Sequence, residues 1–180
     1  MIFGLFRKDP RRPLIDGLYA RVGDAARREG LFAVLGVPDT LEGRFEALAL
    51  HMVLAIRALR GRPGPADEVA QDLTNAFFRD LDRALREMGV GDTGVPKRMR
   101  TLGEAYYGRA RAYDPLLDAG DEAALAEALS RNVYGGERPA APLARYALAA
   151  AAALAGQSLD GLLGPGPSFP DPASFAEEAP

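Results

Sequence analysis

The sequence predicts an all-α protein, one compact domain of about six to seven helices followed by an irregular Pro/Gly-rich tail. Three observations carry this. Every periodic apolar segment repeats at helical spacing, and none alternates as a strand would. The segments are divided by strong breaks, of which Gly61-Arg62-Pro63-Gly64-Pro65 is the clearest. The chain has 180 residues, 48% of them hydrophobic, which is enough for a single core without staples. The expected division is an apolar/basic extension over 1–12, a helical body over 13–163 and an acidic tail over 164–180.

Taken in order, Pro13 suits a first helical turn, and Leu14, Leu18, Tyr19 and Val22 share one face of a helix running to about Glu29. Leu31 to Leu35 reads as a short continuation stopped by Gly36 and Pro38. Asp39 is placed to cap the next helix while Glu42, three residues on, reaches back. That helix runs to about Arg60 on a wide stripe of Leu41, Phe45, Leu48, Met52, Ile56 and Leu59. A third, about Ala66 to Met88, carries Val69, Leu73, Phe77, Leu81, Leu85 and Met88, and Gly89 is suited to end it with a left-handed residue. A fourth begins near Pro96 with Met99, Leu102, Tyr106, Ala110 and Tyr113, and Asp114-Pro115 is expected to kink or end it. Asp121 to Val133 and Pro142 to Ala155 complete the set, the last built largely of alanine, the best helix former. Beyond Gly164, Pro165-Gly166-Pro167-Ser168-Phe169-Pro170-Asp171-Pro172 reads as disordered or draped over the domain.

Composition removes whole classes of chemistry. The chain has no cysteine, so disulfides, thiolate metal sites and cysteine nucleophiles are excluded. His51 is its one histidine, which leaves no multi-histidine zinc site and no ordinary catalytic triad. On a largely apolar helix it reads as a hydrogen-bonded core residue, so no metal, haem or other cofactor is expected. The net charge of −3 calls for no DNA partner. The longest apolar run, Leu143 to Ala155, is interrupted by Arg145 and is too short to span a bilayer. The order of charges at Met1 to Arg12 is the reverse of a signal peptide's. Ile2, Phe3 and Phe6 with Arg7, Arg11 and Arg12 are candidates for an interfacial membrane contact; the other reading tucks the apolar three onto the domain.

The charge concentrates at one place. Arg79, Asp80, Asp82, Arg83, Arg86 and Glu87 lie off the apolar stripe of the third helix, spaced for i,i+3 and i,i+4 pairing. Residues two apart on a helix point roughly 200° apart, so Asp80 and Asp82 cannot share a proton or a metal. Asp80 and Glu87 share a face but have Arg83 between them, which keeps both ionised and rules out acid–base catalysis. The corner Gly89-Val90-Gly91-Asp92-Thr93-Gly94 lacks a preceding strand and the P-loop order, and Asp92 would repel a phosphate, so it reads as a helix–helix corner. Lys97 and Arg98 then stand at a helix N-terminus, where the macrodipole disfavours cations. Two explanations remain open: an external partner, or a clamp to Asp80 or Glu87.

Four ordered blocks carry a resemblance. Leu35-Gly36-Val37-Pro38-Asp39-Thr40-Leu41-Glu42-Gly43-Arg44-Phe45-Glu46 runs into Leu50-His51-Met52-Val53-Leu54. Phe77-Phe78-Arg79-Asp80-Leu81-Asp82-Arg83-Ala84-Leu85-Arg86-Glu87-Met88 continues to Met99, and Tyr107-Gly108-Arg109 and Ser130-Arg131-Asn132-Val133-Tyr134 follow. Together, over about residues 14–134, they resemble the ubiquinol–cytochrome c chaperone family, assembly factors of the cytochrome bc1 complex. The resemblance implies a non-enzymatic chaperone whose client is newly made cytochrome b, with no small-molecule substrate. Mitochondrial relatives act at the inner membrane near the ribosome with a small partner subunit. This chain reads as a bacterial member, cytoplasmic or peripheral on the inner face of the membrane, and no motif here carries the ribosome or the small partner across. The expected client-facing residues are Phe78, Asp80, Asp82, Arg83, Arg86, Glu87, Asp92, Lys97, Arg98 and Arg109. The rival reading is a peripheral membrane- or RNA-associated module working through Met1 to Arg12 and the basic face from Lys97 to Arg111.

Overall fold

The computed structural model describes residues 10–176. Six long helices build the body: α1 (Arg12–Ala26), α3 (Leu41–Leu59), α4 (Ala66–Glu87), α5 (Val95–Ala119), α6 (Glu122–Val133) and α7 (Ala141–Ala155). Two five-residue helices join them, α2 (Glu29–Ala33) and α8 (Leu159–Leu163), and a short 3-10 turn follows at Pro172–Phe175. No strand occurs among the described residues.

The core forms around α3, which is buried on almost every side because its stripe is the widest in the chain. Leu50, Met52, Val53, Leu54 and Ile56 are all sealed from water. Helices α1, α4, α5 and α7 pack around it, and α6 closes against α5 and α7. Tyr113 and Tyr146 contribute the largest wholly buried side chains. His51 is buried too. Its Nδ1 lies 2.7 Å from the Ala47 carbonyl and its Nε2 2.6 Å from the Tyr146 hydroxyl. A carbonyl can only accept, so Nδ1 carries the proton and Nε2 accepts from Tyr146. Burial holds the imidazole neutral and pushes its pKa down to about 4.

Several expectations from sequence need correction. The first helix ends at Ala26, and a bend at Arg27 and Arg28 separates it from α2. The cap of α3 is Thr40, not Asp39: the Thr40 hydroxyl accepts from the Gly43 amide at 3.1 Å. Asp39 pairs instead with Arg44 at 2.6 Å. Pro115 does not end the fourth helix, one of its two expected effects; the helix continues to Ala119 and stops at the left-handed Gly120. It is held through the proline by arginines of α3. Arg60 bonds the Asp114 carboxylate at 2.8 Å, Arg57 donates to the Asp114 carbonyl at 3.3 Å, and Arg57 also pairs with Asp118. Tertiary bonds of this kind offset part of the cost of the backbone bond a proline removes.

The Pro/Gly-rich tail is irregular apart from the turn at Pro172–Phe175, and of its two expected forms it takes the draped one. Phe169 is buried against the body.

A charged helical hairpin and its open apolar face

Of the ten residues expected to face a client, all but Arg109 lie on the hairpin formed by the end of α4, the glycine corner and the start of α5. Gly89 adopts the left-handed conformation expected of it, with φ at 79°. Its amide bonds the Arg86 carbonyl at 2.9 Å, and the next amide, of Val90, bonds the Leu85 carbonyl at 3.0 Å. This closes the orphan carbonyls of α4 in the manner of a Schellman cap. Leu85 and Val95 are buried at the tip but stand outside the main core.

The charges of α4 pair largely among themselves. Arg83 bonds Asp80 and approaches Glu87 at 3.8 Å. Arg86 forks between Asp82 at 2.8 Å and Asp92 at 2.8 Å, which ties helix to corner. Asp80 takes a second bond from the Tyr19 hydroxyl of α1 at 2.8 Å, and burial together with this carboxylate raises the tyrosine's pKa. So Asp80 anchors α4 to α1, and the clamp from Asp80 or Glu87 to Lys97 or Arg98 does not form. Lys97 and Arg98 are exposed and have no acidic partner among the described residues. Arg11 pairs with Glu68 and Asp72 on α4, and Arg12 with Asp16. Arg12 shares a cleft of about 450 Å³ with Asp16, Tyr19, Arg79, Asp80 and Arg83. Ile2, Phe3, Phe6 and Arg7 fall outside the described residues.

Arg109 lies apart from this group. Its guanidinium grips Glu46 of α3 in a fork, Nε to Oε2 at 3.0 Å and Nη2 to Oε1 at 2.6 Å. Glu46 is 8% exposed. A buried carboxylate needs such a planar, permanently charged partner.

Phe78 packs onto α5, with its ring 5.8 Å from those of Tyr106 and Tyr107 and above Gly103, where any side chain would meet it. Tyr106 is buried, while Tyr107 is half exposed. Burial raises the Tyr106 pKa to about 12, so the hydroxyl stays neutral.

The feature that sequence reasoning missed is where the stripes run out. On α4 the core-facing line continues from Phe77 to Leu81, Ala84 and Met88, spaced at three or four residues. On α5 the line through Tyr106 continues backwards to Leu102 and Met99. Leu81, Ala84, Met99 and Leu102 are only half buried, and Met88 is half exposed. Met99 and Leu102 do not join the core at all. At the start of α3, Leu41 is 60% exposed and Phe45 is half buried against Phe77. The hairpin therefore carries an apolar inner face beyond the reach of a third helix, flanked by the ion pairs of α4 and by Arg98. The stripes were legible in sequence, but their lack of a cover was not.

Among the described residues no cluster of three or more His, Asp or Glu side chains is arranged to hold a metal. No described helix is long and apolar enough to cross a membrane.

This is a helical protein whose distinctive region is an apolar face rimmed by charge on a helical hairpin. The chain belongs to the ubiquinol–cytochrome c chaperone family, whose model matches residues 33–169. Among solved structures, the crystal structure of the Cbp3 homolog from Brucella abortus matches it with a TM-score of 0.82 and 38% sequence identity. The match covers 90% of this chain and 91% of that one. No curated protein matches the chain.

Proposed function

We propose that this chaperone binds newly made cytochrome b and promotes assembly of the cytochrome bc1 complex, without catalysing a reaction. The observation that supports the reading best is the open apolar face of the α4–α5 hairpin, lined by the residues that carry the family resemblance. A multi-span membrane protein awaiting assembly exposes apolar helices, and a partly exposed face of Leu, Met and Phe side chains offers them burial. Each apolar side chain fully covered contributes about 1.5–3 kcal/mol. The surrounding pairs, Arg83 with Asp80 and Arg86 with Asp82, keep the free chaperone dissolved and orient the client, while burial supplies affinity. Lys97 and Arg98 have charge to spare for an acidic group on the client. Phe78 supports this face from behind by fixing α4 on α5.

The test is to delete the gene in its host and quantify cytochrome b by its haem spectrum and assembled bc1 by native gel. Selective loss of bc1, with other respiratory complexes intact, is expected. Normal bc1 levels in the deletion strain would overturn the proposal. Complementation with Met88→Asp, at a half-exposed position of the same face, is expected to leave the chaperone folded and bc1 low.

A further inference from the structure

The apolar face of the hairpin is short and creased, and both properties limit what can cover it. Helix α3 runs antiparallel to α4 and stacks Phe45 on Phe77, with ring centroids 6.5 Å apart. It begins at Leu41, one turn further on, and past that level α4 and α5 continue without it. From Leu81 to Met88 the face advances about 10 Å, at about 1.5 Å per residue. Met99 to Tyr106 is the matching stretch of α5. A membrane span needs about 30 Å, so the face covers about two turns of a helix and not a whole span. Leu81, Ala84, Met99 and Leu102 are half buried, whereas Met88 is 49% exposed. The four lie down in the crease between α4 and α5, where the side-chain ridge of another helix reaches and a flat lipid surface does not.

The two edges of the face differ in charge. On the α4 edge, Asp80, Arg83 and Glu87 pair with one another. On the α5 edge, Arg98 stands one turn before Leu102, at the i,i+4 spacing of helix neighbours. Arg98 and Lys97 are exposed and have no acidic partner among the described residues. Both lie in the first turn of α5, where the dipole opposes a cation. Arg100, by contrast, has Glu104 at 3.9 Å. The crease therefore has one unanswered positive edge, which a carboxylate from outside answers.

We propose that the occupant of this face is about two turns of a single amphipathic helix. Its apolar residues, at i, i+3 or i+4, and i+7, lie in the crease, and an acidic residue beside them pairs with Arg98. Laying such a stripe into an apolar groove is a recurrent mode of recognition. A second copy of this hairpin does not fit, because Asp80, Asp82, Glu87, Asp92 and Glu104 are all paired within their own chain. For the client proposed above, the part held is the flanking end of a span, where charge first occurs, and not its apolar middle. Only that last step rests on the client reading.

The experiment uses the full chain and a stapled helical peptide of about 14 residues, a length at which a helix can form. It carries leucines at those positions and one glutamate beside them, and its twin has lysine in place of the glutamate. Binding is read by fluorescence anisotropy. The wild type is expected to prefer the glutamate peptide by about fivefold, the scale of an exposed ion pair. Arg98→Glu is expected to reverse that preference, and Met88→Asp to weaken both peptides at least about tenfold by setting a charge in the apolar contact. Neither position is buried, so circular dichroism should show the wild-type fold in each variant. Equal preference in wild type and Arg98→Glu, or no binding of either peptide at about 1 mM, would overturn the proposal. So would phosphatidylglycerol vesicles that bind the wild type, but not Arg98→Glu, while the peptides do not. Where deletion of the gene abolishes bc1, these failures strike the helix alone; peptide binding beside normal bc1 would sustain the helix and overturn the client.

Discussion

His51 makes the stability of this protein depend on pH in a way that can be worked out in advance. In the native state its imidazole is fully buried, donates from Nδ1 to Ala47, accepts at Nε2 from Tyr146, and has its pKa pushed down to about 4. In the unfolded chain it titrates near 6.5. The unfolded state thus binds a proton that the native state refuses, so stability is complete above about pH 6.5 and falls as pH drops toward 4. The full loss is about 3 kcal/mol, and about 2 kcal/mol of it is reached by about pH 5, at 1.36 kcal/mol per pKa unit. Urea unfolding at about pH 7.5 and about pH 5 measures it directly, with His51→Gln as the comparison, since a glutamine does not titrate in this range. Carboxylates contribute mostly below this window. The reasoning fails if the wild-type chain is equally stable at both values, or if His51→Gln loses as much as the wild type does.

Other expectations follow from the same structure. Tyr146→Phe removes the donor to His51 Nε2 and leaves a buried acceptor unmet; chemical denaturation is expected to show a loss of about 1–3 kcal/mol. Arg109→Leu strands Glu46 in the interior and is expected to cost about 3 kcal/mol, with Arg109→Lys recovering only part because an ammonium cannot fork. Gly43→Ala places a Cβ 1.9 Å from the Pro38 carbonyl oxygen, which requires the backbone before α3 to move; a fall in thermal midpoint is expected, from about 1–3 kcal/mol of strain. Arg98→Glu reverses a charge with no internal acidic partner at the start of α5, where the macrodipole favours a carboxylate, so the unfolding midpoint should hold or rise slightly while bc1 levels in a complemented strain fall.

Much of the molecule was legible from residue order alone. The helices of the body follow from apolar spacing and from breakers such as Gly61-Arg62-Pro63-Gly64-Pro65, because the 3.6-residue period is a local property of the backbone. Local as well were the left-handed end at Gly89, the pairing of Arg83 with both Asp80 and Glu87, and the burial of the lone His51. The family could be read because its blocks are contiguous runs, whose order survives in the chain itself.

What the tertiary structure alone decided depends on partners far apart in sequence. Arg109 looked like a free cation on a basic helix until Glu46, 63 residues away, was placed against it. Asp80 became an anchor because α1 brings Tyr19 to it, and Pro115 was carried inside a helix because Arg57 and Arg60 reach across from α3. The tail read as either disordered or draped, and it is draped because His51, Tyr146 and Arg28 form a surface that fits it. Met99 and Leu102 are the plainest case. A helical stripe declares which side seeks burial, but whether another helix arrives to cover it is settled by packing.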